Sequence, residues 1–127
     1  MDYVMSDNQS AIRVLVLDEN TENAGHLATF LSAHHYDVAT CQELEGARAS
    51  MSSRRPHVLV VTTKDHPHEE LWALRKMCPR LPLVIVTEEA GQELLLDVEA
   101  FAPAIPASPL RGLLHIESAV EAAAVLA

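Results

Sequence analysis

Five strand-like runs alternate with five helix-like segments along this chain, and that alternation constrains the fold more than any other feature. The runs "IRVLVLDEN" (12–20, ending in acids), "HVLVVTT" (57–63) and "LVIVT" (83–87) are dense in valine, leucine and isoleucine, the pattern of strands buried on both faces. A shorter alternating run at 36–41 reads as a further strand. Residues 103–108, "PAIPAS", complete the set. Pro103 and Pro106 bring no amide donors, so this stretch is expected to lie at a sheet edge or be irregular. Between the runs, apolar residues recur at helical spacing. Ala24, Leu27, Ala28 and Leu31 mark one helix, capped by Asn20 or Thr21. Leu44, Ala47 and Met51 mark a second, and Leu71, Leu74 and Cys78 a third. Leu94, Leu95, Val98 and Phe101 mark a fourth, over 91–101. The last helix covers 109–126, with Leu113, Ile116, Val120 and Ala124 as its stripe. Buried strands joined through helices imply an α/β fold with a doubly wound parallel sheet covered on both faces. Ligands in such folds bind beyond the carboxyl ends of the strands.

The chain has 127 residues and is 49% hydrophobic, enough for one packed core. Residues 1–10 read as a polar leader and 11–127 as one domain. The formal charge of −9 repels phosphate backbones and anionic membranes, so no nucleic-acid contact is expected. No apolar run reaches the ~20 residues of a membrane helix. The acidic leader is no signal peptide, which places the chain in the cytoplasm. The two cysteines, Cys41 and Cys78, are far apart and form no CxxC pair, the pattern of buried thiols. Asp65, His66 and His68 crowd one loop with Glu69, but the set is read as loop chemistry and no metal or cofactor is expected there.

The strand ends decide the function. Asp18 and Glu19 follow the first strand, Thr62 and Thr63 the third, Thr87 the fourth, and Ser108 with Pro109 the fifth. In that order and spacing, "VLVLDEN … YDVATC … RPHVLVVT … LPLVIVT … SP" resembles the receiver domain of bacterial response regulators over residues 12 to about 125. The resemblance implies a five-stranded (βα)5, flavodoxin-like sheet of order 2-1-3-4-5. It also implies an acid pair that helps bind Mg²⁺, an aspartate phosphoacceptor after the third strand, a hydroxyl after the fourth, and a lysine before proline after the fifth.

The acid pair maps onto Asp18 and Glu19, the hydroxyl onto Thr87, and the proline onto Pro109. The phosphoacceptor position falls on Thr62 or Thr63, the lysine on Ser108, and the switch aromatic on Ile105. A threonine hydroxyl is a far weaker nucleophile than a carboxylate. Losing the carboxylate also removes a hard oxygen ligand for Mg²⁺. Asp18 and Glu19 stay as the only weak metal candidates. The resemblance is therefore to a degenerate receiver, a pseudo-receiver, and no enzyme activity is expected.

Two functional readings stay open. The first is an interaction module of a signalling or transcriptional regulator. It self-associates or binds a partner through the fourth helix, fifth strand and last helix, with Leu94, Leu95, Leu113, Ile116 and Val120 at the face. A homodimer and a covalently linked output domain are the partners this reading expects. The second is a small-ligand sensor using the vacated strand-end pocket of Asp18, Glu19, Thr62, Thr87 and Ser108.

Overall fold

Strands form where the β-branched and aliphatic runs predict them. The computed structural model of the chain describes residues 11–62, 67–86, 101–108 and 112–126. It contains β1 (Arg13–Leu17), α1 (Thr21–Ala33), β2 (Asp37–Cys41), α2 (Leu44–Ser53), β3 (Val58–Thr62), α3 (Pro67–Met77), β4 (Leu83–Val86), β5 (Ala104–Ala107) and α4 (Leu113–Val125). The strands form one parallel sheet of order β2-β1-β3-β4-β5. The doubly wound expectation holds. The leader 1–10 and all but Phe101 of the helix expected over 91–101 lie outside the described residues.

Side chains two apart on a strand share a face, and here each face has its own composition. Val14, Val16, Val58, Val60, Val84 and Val86 point into one core with Leu27 and Leu31 of α1 and Ile116 and Val120 of α4. Leu15, Leu17, Leu59, Val61, Leu83 and Ile85 point the other way, onto Ala47 of α2, Leu71 and Leu74 of α3, and Phe101. Valines meet one pair of helices and mostly longer side chains meet the other. Both faces of β1, β3 and β4 are thus removed from water. At about 1.5–3 kcal/mol for each large side chain buried, these strands carry most of the driving force.

The edges are built differently. No residue of β2 is fully buried, and Ala39 and Thr40 in its middle are exposed. In β5, Pro103 accepts from the Leu83 amide at 3.0 Å. Alternation along the strand therefore turns Ile105 toward β4, and Ala104 and Pro106 outward. Pro106 sits where its missing amide costs no ladder bond, as expected for an edge.

Helix ends follow local chemistry. The Asn20 side chain accepts from the Asn23 amide at 3.1 Å and caps α1. At the other end, Tyr36 N–H donates to Leu31 and His35 N–H to Ser32, with His35 in the left-handed region at φ 72°. That is a Schellman ending, which normally uses glycine. His35→Gly is therefore expected to stabilise the fold by about 0.5–1 kcal/mol, because glycine carries no Cβ penalty there. A rise in the urea midpoint at unchanged slope would show it, and a fall would refute it. The same turn delivers Tyr36, whose hydroxyl donates to Glu117 of α4 at 2.9 Å. Burial, then the bond to Glu117, holds this phenol above its ordinary pKa.

Candidate functional site

Asp18 is the residue after β1 and is 4% exposed, the sole buried charged side chain among the described residues. Its amide donates to the Cys41 carbonyl at 3.0 Å, which extends the β1–β2 ladder by one step. Its Oδ1 accepts from the Asn20 amide at 2.9 Å. The carboxylate is thus held by the turn that also caps α1. Glu19, next in sequence, is exposed.

Register brings the rest of the row level. Leu17 pairs with Val61, so Asp18 stands across from Thr62, the half-buried last residue of β3. Thr62 pairs with Val86 and Val86 with Ala107, so Ser108 follows β5 at the same end of the sheet. The structure therefore gathers Asp18, Thr62 and Ser108 along one sheet end. Thr63, Thr87 and Pro109 lie outside the described residues. A row of one buried carboxylate and two hydroxyls can accept and donate hydrogen bonds. It offers no second acid at the β3 position. Among the described residues, no group of three or more His, Cys, Asp or Glu gathers that could hold a metal ion.

This sheet and its covering helices are shared, as a fold, with known structures. The chain resembles chemotaxis protein CheY4 of Vibrio cholerae with a TM-score of 0.79 at 16% identity, over 90% of this chain and 99% of that one. This is the receiver fold. A response regulator receiver protein from Pseudomonas putida matches with a TM-score of 0.74 at 18% identity, over 89% and 98% of the two chains. A protein described as pilus assembly-related, from Burkholderia pseudomallei, matches with a TM-score of 0.77 at 21% identity, over 91% and 90%. At the sequence level, no family model and no curated protein matches the chain. No helix among the described residues is long and apolar enough to cross a membrane.

The receiver fold sorts the expected association face into two groups. Ile116 is 3% exposed and Val120 0%, both packed in the valine core. They are core residues and unavailable to a second chain. The reason is the phase of α4. Its buried stripe runs through Ile116, Ala119, Val120 and Ala123, at i, i+3, i+4 and i+7. Leu113 is 39% and Leu114 65% exposed, so the outward apolar surface begins at the first turn. Gly112, with φ 91°, opens that helix. Leu94 and Leu95 lie outside the described residues. Trp72 is 47% exposed, with its ring 4.4 Å from Phe101.

Two features of this receiver fold escaped sequence reading, and both sit at the amino ends of the strands. The first is Arg75 in the last turn of α3. Its Nε donates to Phe101 O, its Nη1 to Cys78 O and Leu81 O, and its Nη2 to Phe101 O and Pro103 O, at 2.6–3.1 Å. All five guanidinium donors are used, and all acceptors are backbone carbonyls. Burial holds this guanidinium below its ordinary pKa.

The second is a groove of about 470 Å³ between the ends of α2 and α3, lined by residues that include Met51, Met77, Cys78 and Leu81. Cys78 donates to the Met51 sulfur at 3.1 Å. Cys78 was expected in the core, yet it is only half-buried and faces this groove. It directly follows α3, its amide donating to the Leu74 carbonyl, where the stripe leaves the sheet. Burial raises its thiol pKa, with Arg55 and Arg75 pulling the other way.

Proposed function

We propose that the chain is a receiver-like signalling module that does not accept a phosphoryl group and works by association with itself or a partner. The observation that carries this reading is Thr62 standing level with Asp18 at the ends of adjacent strands. In the resemblance, the carboxylate nucleophile falls on Thr62 or on the next residue, Thr63, and neither is an acid. Among the described residues no base is hydrogen-bonded to the Thr62 hydroxyl, and an unactivated hydroxyl stays protonated. The single buried acid is already engaged with the Asn20 amide. The exposed Leu113 and Leu114 supply apolar area that a lone domain has no use for.

The test combines assembly and chemistry. Sedimentation equilibrium of the chain is expected to give one mass with and without Mg²⁺ and beryllofluoride. Leu114→Asp is expected to shift that mass to monomer while leaving the circular dichroism spectrum intact. Thr62→Asp restores a second carboxylate beside Asp18 and is expected to raise Mg²⁺ affinity at least tenfold in calorimetry, since hard cations gain with each oxygen ligand. A native chain that changes mass only with Mg²⁺ and beryllofluoride would overturn the reading.

A second process is favoured by the likeness to the Burkholderia protein. The same module heading a pilus-assembly protein predicts loss of surface pili when these residues are deleted in the host, with swimming unaffected.

A further inference from the structure

The described cations are gathered at one end of the molecule. The chain has nine Lys and Arg in all, and the seven among the described residues share this end. Arg13 opens β1, Arg54 and Arg55 precede β3, Arg75 and Lys76 close α3, Arg80 precedes β4, and Arg48 lines the groove on α2. The acids Asp18, Glu19, Glu22, Glu43 and Glu45 occupy the opposite end, after β1 and β2 and in the first turns of α1 and α2, while Asp37 opens β2 at the cationic end and Glu117 and Glu121 lie on α4. A chain of charge −9 thus presents a cationic end.

Most of these cations have internal work. Arg54 pairs with Asp37. Arg13 Nε donates to the Arg55 carbonyl at 2.7 Å. Arg75 satisfies Cys78 O and Leu81 O, which are the carbonyls at the groove wall. Arg48 and Arg55 differ. Both are exposed and line the groove, and neither guanidinium has a hydrogen-bond or ion-pair partner among the described residues. Their charge is not needed to offset the carbonyls, because Arg75 already does so.

Between these two guanidiniums the floor is apolar and soft. Met51, Met77 and Leu81 are half-buried, and Pro56 is buried. Methionine adapts to irregular partners and recurs at peptide-binding surfaces. The Ser52 hydroxyl is turned back to the Arg48 carbonyl of its own helix.

We propose that this groove docks an acidic, apolar segment of a partner protein, with its carboxylates on Arg48 and Arg55 and its apolar side chains on Met51, Met77 and Leu81. Charge complementarity selects the acidic partner, since arginine forks match carboxylates. A nucleotide fits less well. Among the described residues the lining holds no aromatic ring for a base. The groove also lies at helix carboxyl ends, where the amide donors that cradle phosphates at helix amino ends are absent. The site is separate from the Asp18–Thr62 end and independent of whether that end is phosphorylated.

The test uses the whole chain and a fluorescein-labelled peptide with two glutamates flanking two leucines. Lysine replaces both glutamates in a second peptide, and AMP serves as the phosphate probe. Anisotropy is expected to rise with the acidic peptide and to weaken with salt. Affinity is expected to fall at least tenfold in Arg48→Glu/Arg55→Glu. Both positions are exposed, so circular dichroism should match the native chain. Methyl-labelled methionine adds a local readout, because the four methionines are Met1, Met5, Met51 and Met77. Only Met51 and Met77 are expected to shift. Equal binding of the lysine peptide, or affinity unchanged in the double variant, would overturn the proposal. So would Met51 and Met77 shifts produced by AMP alone, or by raising the concentration of the chain alone, which would make the groove a small-anion site or a contact between copies.

Discussion

Arg75→Ala is expected to lower stability by about 3 kcal/mol, a large effect for a half-exposed surface arginine. The side chain makes five bonds to four carbonyls, those of Phe101, Cys78, Leu81 and Pro103. Hydrogen bonds from charged donors contribute about 1.5–3 kcal/mol each before solvent competes. Water can replace part of what is lost at a half-buried site, so the bonds will not add in full. What water cannot replace is the connection itself. One guanidinium joins the end of α3, the turn into β4 and the entry to β5, three segments with no other shared side chain among these bonds. Arg75→Lys keeps the charge but has three donors on a point, and it is expected to recover less than half of the loss. Urea unfolding of the two variants measures this. A loss below about 1 kcal/mol for alanine would reduce Arg75 to an ordinary surface cation.

Val120→Asp is expected to prevent folding at room temperature, whereas Leu114→Asp, six residues earlier on the same helix, leaves stability nearly unchanged. Val120 is 0% exposed in the valine core. An aspartate there forfeits roughly 1.5–3 kcal/mol of apolar burial. It also buries a charge with no partner, which costs several kcal/mol more. The sum approaches the whole stability of a typical domain, about 5–15 kcal/mol. Leu114 is 65% exposed, and its replacement touches only surface. Circular dichroism with a thermal melt separates the two outcomes. A folded Val120→Asp chain would mean that α4 can rotate about its axis, and that the buried stripe is not fixed.

This contrast shows where sequence reading succeeds and where it stops. The strands were legible because a run such as Val58–Val61 has no polar residue and is too short for a helix. Their order came from the family resemblance, and the sheet has that order. Asp18 and Thr62 were legible as strand-end residues because a parallel sheet places all carboxyl ends together. The face of α4 was not. Its residues are apolar nearly all round, with Leu113, Leu114, Ala122 and Val125 beside the true stripe, so several phases fit equally well. The sequence reading places Leu113, Ile116, Val120 and Ala124 on one stripe and, from the surplus of apolar surface, puts Ile116 and Val120 at the association face. Arg75 left no trace, because its partners are carbonyls, which every residue carries. The groove left none either. Its walls come from residues some thirty positions apart, and no periodicity links them.

Pro106 has a consequence for how the molecule behaves in crowded solution. A parallel sheet that ends on an exposed strand is a template for a further strand, from a second molecule or from a misfolded one. At β5 the outward positions are Ala104 and Pro106, and only the alanine retains an amide. Fibrous growth from this side meets a gap at its second rung. Replacing the proline with valine would complete the rung and make the edge adhesive. The opposite edge, β2, has no proline, and its exposed Ala39 and Thr40 leave it the less guarded flank. Stacking of sheets, were it to occur on storage or heating, would start from β2.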